Sequence, residues 1–218
     1  MLDEDFCSRI SRDWLNREGD LSEVDRMILR KKSETHLKSA ILISYSHWEG
    51  HFKFCAETLL NYIAEGVKRK IFNWTDVKED IRLRLLFCNY RKASISAQKH
   101  ETFLSYLNAL SDRRFSDIVN AKSEIIMIDD NLNSSRAEAI CRNLGVDCSW
   151  FLAKSVIIDQ RLLDHRNCFA HGASRLRGGE LVDYADSSLW ECVDEVRALI
   201  RHTKDQFQNS INIRSFLS

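Results

Sequence analysis

The sequence contains no proline and only seven glycines in 218 residues. These are the residues that end helices and punctuate all-β chains, so their scarcity argues against a turn-rich sandwich or barrel and favours helix. Charge of one sign is missing as well, because thirty-two basic side chains balance thirty-two acidic ones. That balance argues against coating nucleic acid through a general positive field, and any contact with RNA has to be local. No apolar run approaches the roughly 18 residues that span a bilayer. Asp3, Glu4 and Asp5 precede any apolar stretch, unlike a signal peptide. We therefore expect a cytoplasmic protein with no membrane partner. Cys7, Cys55, Cys88, Cys141, Cys148, Cys168 and Cys192 form an odd set without a CxxC pair or the spacing of a zinc or disulfide framework. They read as buried thiols of a reducing compartment.

What is present suits one folded domain. An apolar share of 44% can fill a core and a charged share of 29% can solvate its surface. No repeat, low-complexity tract or Gly/Ser linker divides the chain. The clearest element is a helix over about 34–64, where Ile41, Tyr45, Trp48, Phe52, Cys55, Leu59 and Ile63 recur in steps of three and four and share one buried face. Ahead of it, Phe6–Leu15 and Leu21–Lys32 read as two shorter helices separated by Gly19 and Asp20. Thr75 with Asp76, Glu79 and Asp80 suits the start of a helix over 76–89, and another helix is expected over 97–110. The run Ile125–Ile128 is too short to assign and could be extended or helical.

Ser134–Asn143 reads as a helix ended by Gly145. A further helix over about 151–170 should bury Ile158, Leu162, His165 and Phe169 and end before Gly172. Ser188 and Glu191 have the spacing of a capping box ahead of a last helix that buries Leu189, Val193, Val196 and Ile200. The expected fold class is all-α: an up-and-down helical bundle of four to five main helices. Residues 1–35 would be a helical extension and 36–218 the bundle core.

Arg166-Asn167-Cys168-Phe169-Ala170-His171-Gly172 holds the residues best suited to chemistry. RNA carries its own nucleophile, the 2′-OH, so a site that moves protons and holds phosphorane charge can cut it without a metal. An imidazole such as that of His171 can act as general acid or base. Arg166 can grip two phosphate oxygens through its planar fork. Asn167 lies four residues before His171 on nearly the same helical face and could orient the imidazole or a phosphate oxygen. On a regular helix Arg166 and His171 stand about 140° apart. Either the helix opens at His171, or the two act toward a partner subunit.

The segment resembles the Arg-x4–6-His signature of the HEPN superfamily, in its form with a polar Asn after the Arg. The stretch Ser44–Phe52 is similar to the packing helix of prokaryotic HEPN-like nucleases, and the likeness in architecture extends over about 38–217. The resemblance implies a metal-independent endoribonuclease acting on an RNA substrate, and a homodimer that pairs two motifs into one composite cleft. It also implies a toxin or phage-defence role with an antitoxin or sensor protein as partner. Arg175 and Arg177 could hold the RNA backbone or simply form a solvated basic loop. Glu49 lies off the apolar stripe and could reach the motif or only face water, while His165 falls on an apolar face and reads as a core or interface histidine. His47 and His51 have chelating spacing, but the metalloprotease pattern needs Glu directly after the first His, where Trp48 stands, so no metal and no cofactor is expected. The alternatives are a noncatalytic HEPN-type module binding RNA, nucleotide or protein, and a helical subunit of a larger complex.

Overall fold

A computed structural model of the chain describes residues 2–30, 33–83, 85, 104, 131–172, 176, 179–183 and 187–218. The expected helix over 97–110 and the Ile125–Ile128 run lie outside the described residues, residue 104 excepted. The fold class is all-α. Its helices are α1 (Leu2–Arg30), α2 (Glu34–Lys68), α3 (Ser134–Leu144), α4 (Ser149–Ala153), a π-helical segment (Ile157–Asp164), α5 (His165–Ala170), α6 (Ser187–Trp190) and α7 (Cys192–Asn212).

α2 is the centre of the bundle. All seven residues of its expected stripe are at most 1% exposed. Burying side chains of this size contributes about 1.5–3 kcal/mol each. Phe52 meets Phe151 and Phe207 edge to face, at 5.7 and 5.9 Å between ring centroids, which joins α2 to α4 and α7. Ser33 caps the start of α2, its hydroxyl accepting from the His36 N–H.

α1 is one continuous helix, not the two that Gly19 and Asp20 suggest. Its buried residues are Phe6, Ile10, Leu21, Val24 and Ile28. The eleven residues from Ile10 to Leu21 make very nearly three whole turns, so the two apolar groups are in phase. The turns between them carry Asp13 and Arg17, both partly buried, and that polar interruption hides the continuity. Packing then outweighs the roughly 1 kcal/mol that a helical glycine costs.

The partners of Asp13 and Arg17 lie on α2. The His51 Nδ1–H donates to the Asp13 carboxylate at 2.6 Å, Arg17 Nε donates to the same carboxylate at 2.7 Å, and Arg17 Nη1 donates to the His47 carbonyl at 3.2 Å. Cys55 Sγ lies 3.4 Å from His51 Nε2. Burial pushes the Cys55 thiol well above its ordinary range, so it stays protonated and donates to His51. Burial lowers the pKa of His51 and outweighs the opposing hydrogen bond to Asp13. Burial resists ionisation of Asp13, but the bonds from His51 and Arg17 outweigh it and hold this pKa below the ordinary carboxylate value. The result is a buried relay whose members each have a partner. Arg197 of α7 ties to Glu18 and Asp25, and Gln208 donates to the Cys7 carbonyl and to Ser11. From the order of these pairs, α1 runs antiparallel to both α2 and α7.

Two helix starts differ from expectation. The chain after α2 makes a 3₁₀ turn at Trp74–Asp76 and then an antiparallel bridge between Val77 and Leu217, with Lys78 N–H donating to the Phe216 carbonyl. Helix resumes only at residue 79, and residues 79–83 and 85 are helical, because Val77 and Lys78 are drawn into that pairing. Ser188 lies inside α6, the helix is interrupted at Glu191, and α7 starts at Cys192 with no side-chain cap bond from Glu191. The stripe Leu189, Val193, Val196 and Ile200 is nevertheless buried. α3 ends at Gly145 as expected, with φ of +71°. A β-carbon there would lie 2.5 Å from the Ser215 carbonyl oxygen.

Two outcomes follow. Gly145→Ala should lower the urea midpoint by more than the loss of a C-cap alone, about 1 kcal/mol or more, since it combines a left-handed backbone with a backbone clash; an unchanged midpoint would contradict the close approach. Folded His51 resists protonation, so stability should fall as pH drops below the ordinary 6.5 of histidine, and Asp13 should add a further loss below 3.8. In thermal melts His51→Gln should flatten the slope between pH 7 and 5, and Asp13→Ala should cost about 2–3 kcal/mol at pH 7.

Candidate active site

The motif sits where the helix geometry changes. The expected regular helix over 151–170 is instead α4, a turn at Lys154, the π-helical segment and α5. Such wide turns shift the angular positions of the residues that follow and recur at functional sites. The expected core positions survive the change: Ile158 and Leu162 are fully buried, and His165 and Phe169 nearly so. His165 Nδ1 lies 3.0 Å from the Gln160 carbonyl, to which it donates, and its ring meets Phe169 edge to face. It is a core histidine.

The π-helical segment is tied to α3 by Asp159. One carboxylate oxygen accepts from the Ser134 N–H at 2.7 Å and the other from the Ser134 hydroxyl at 2.5 Å. Asn133 caps α3 through the Arg136 N–H. These bonds fix residues 131–134 against the helix that carries the motif.

Arg166 and Asn167 open α5, facing α2 and the 131–133 segment. Arg166 Nη1 donates to Asn167 Oδ1 at 2.9 Å, and Asn131 Nδ2 donates to the same oxygen at 2.9 Å. The Arg166 guanidinium carbon lies 5.3 Å from the Tyr45 ring centroid, within cation–π range. The Tyr45 hydroxyl accepts from the Leu132 N–H at 2.7 Å and lies 3.4 Å from the Leu132 carbonyl. Burial, followed by the charge and hydrogen bond of Glu49, pushes the Tyr45 phenol far above its ordinary range, and Arg166 pulls the other way. Glu49 thus acts on Tyr45.

His171 is exposed and stands just past α5, with φ −97° and ψ 6°; its N–H still donates to the Asn167 carbonyl at 3.2 Å. Gly172 follows with φ of +64°, a left-handed turn open to solvent. The helix therefore closes at Ala170 and does not unwind early to swing His171 toward Arg166. The structure brings Arg166 to Asn167 and to the Tyr45 ring and leaves His171 on the outer turn. Arg175 and Arg177 lie outside the described residues. His47 and His51 face α1, and Glu49 is turned about 160° from either by helix geometry, so these three do not converge. Tyr45 and Asn131 are site residues that the sequence reading missed. Tyr45 was absorbed into the core stripe, although a buried phenol always needs a partner for its hydroxyl; Asn131 carried no signal.

The fold is an all-α bundle in which Arg166 and Asn167 lie in a short helix and His171 on the turn that ends it. A family model described as RiboL-PSP-HEPN matches residues 12–209, and the chain belongs to this HEPN family. Neither the curated proteins nor the solved structures contain a match.

Asp159→Ala removes both bonds to Ser134. It should destabilise the protein by about 1–2 kcal/mol, the usual cost of losing a cap, with Ser134→Ala costing less because the backbone N–H keeps its acceptor. Equal stability of all three proteins in urea would contradict the tie.

Proposed function

We propose that this chain is a metal-independent endoribonuclease of HEPN type. The observation that carries the reading is an arginine held in place at the start of α5, with an exposed histidine on the turn that ends the same short helix. The substrate's 2′-oxygen attacks the adjacent phosphorus, the bond to the 5′-oxygen breaks, and the products are a 2′,3′-cyclic phosphate and a 5′-hydroxyl. A base takes the 2′-OH proton and an acid supplies one to the departing 5′-oxygen. His171 is suited to either proton transfer. Arg166 is suited to stabilising the phosphorane oxygens, and Asn167 orients it.

One protomer presents a single His171, whereas the reaction uses an acid and a base. A homodimer with a composite cleft supplies a second imidazole, and this is the assembly we propose. Arg175 and Arg177, six and eight residues beyond Phe169 of α5, are proposed to hold the RNA backbone. A toxin or antiviral-defence role, restrained by an antitoxin or sensor protein, accords with the family. No helix among the described residues is long and apolar enough to cross a membrane, and Cys7, Cys55, Cys141, Cys148, Cys168 and Cys192 as thiols suit a cytoplasmic location.

One observation favours a second reading. Arg166 already has a hydrogen-bond acceptor and an aromatic face within the protein, as a packing arginine of a noncatalytic RNA, nucleotide or protein-binding module would.

Cleavage of total cellular RNA in EDTA separates the two. Wild type should cut and leave 2′,3′-cyclic phosphate ends, while His171→Ala, with an unchanged melting curve, and Arg166→Ala, folded by circular dichroism but melting lower, should each lose about 10²–10⁴-fold. No cutting, or equal cutting by all three, would establish the noncatalytic reading.

A further inference from the structure

We propose that Asn131 and Tyr45 are positioning residues that hold the Arg166 guanidinium in a single orientation, Asn131 through Asn167 and Tyr45 through its ring. The inference rests on the RNA-cleaving reading only for what the held guanidinium is for.

The hydrogen-bond directions leave no freedom. A guanidinium only donates, so the side-chain atom of Asn167 that faces Arg166 has to be the carbonyl oxygen. Asn131, which meets the same oxygen, then has to present its amide nitrogen. Both lone pairs of Asn167 Oδ1 are thereby used, each at 2.9 Å. Rotating the Asn167 amide would place donor against donor, and rotating that of Asn131 would place acceptor against acceptor. Asn131 itself is held by its neighbour: the Leu132 N–H donates to the Tyr45 hydroxyl at 2.7 Å. The ring of that same tyrosine lies 5.3 Å from the Arg166 guanidinium carbon. Tyr45 thus acts twice on one group, through its ring directly and through its hydroxyl by way of Leu132, Asn131 and Asn167.

The arrangement has a purpose that core packing does not require. A long, partly exposed arginine ordinarily keeps much rotamer freedom, and a phosphate that binds it must then order it. Here the ordering is done by the fold, and preorganised charge is what stabilises a transition state without reorganisation. Asn131 and Tyr45 touch no reacting atom; they act through Asn167 and Arg166.

The test compares wild type with Asn131→Ala, Asn131→Asp and Tyr45→Phe in two readouts. In protein carrying ¹⁵N-labelled arginine, the side-chain Nε–H resonance of Arg166, assigned by its loss in Arg166→Lys, should be sharp and resolved in wild type. Asn131→Ala and the isosteric Asn131→Asp, which lacks the donor, should both move it into the cluster of mobile surface arginines. Tyr45→Phe, which keeps the ring, should move it part of the way. With RNA, kcat should fall about 10–100-fold for the two Asn131 variants while KM stays within a few-fold.

An Arg166 resonance unchanged in all variants would overturn the proposal, as would a raised KM at unchanged kcat. Should Asn131→Ala fail to fold, Asn131→Asp and Tyr45→Phe carry the same comparison, checked by far-UV circular dichroism. If wild type cuts no RNA, the nuclease reading fails, yet the resonance still decides whether Asn131 and Tyr45 hold the guanidinium.

Discussion

The bundle depends on the enclosure of α2. A helix of thirty-five residues with this many fully buried side chains cannot be covered by one partner, and each of its faces imposes a different requirement on the chain. Trp48, Phe52, Cys55 and Leu59 demand apolar cover, supplied in part by Phe151 and Phe207. His51 faces α1 and demands a polar partner, which Asp13 provides, while the backbone carbonyl of His47 accepts from Arg17. Tyr45 faces Arg166 of the motif helix. Because residues three and four apart share a face, one regular helix sorts these demands without any irregularity of its own.

Polar burial at two places then decides how the surrounding helices sit. The Asp13–His51–Cys55 relay has the residue order of a nucleophilic triad, yet it is closed: Cys55 and His51 are fully buried, and burial keeps the thiol protonated. Its physical effect is to register α1 on α2, since sliding either helix by one turn would strand a carboxylate against apolar surface. At the other place, Asp159 and Tyr45 fix the 131–134 segment from two sides. That segment brings Asn131 to Asn167.

The site inherits its geometry from these constraints. Arg166 is built into the fold, stacked and hydrogen bonded, whereas His171 is placed on a turn that solvent reaches. A composite cleft completed by a second copy is what we propose for this disposition.

Much of this was legible in the sequence. The absence of proline, the stripe from Ile41 to Ile63, the glycine past α3 and the Arg-Asn-x3-His-Gly segment together determined the helical class, the central helix and the residues of the motif, because each is a local property of spacing or backbone preference. What only the tertiary structure decided are the features that depend on a distant partner. α1 looks interrupted until Asp13 and Arg17 meet His51 and His47. Thr75 looks like a cap until Val77 pairs with Leu217. Tyr45 looks like core until Leu132, eighty-seven residues away, donates to its hydroxyl. Hydrophobic periodicity reads what a residue avoids, namely water; it is silent about which buried polar group a side chain must satisfy, and that choice is made by the folded neighbours.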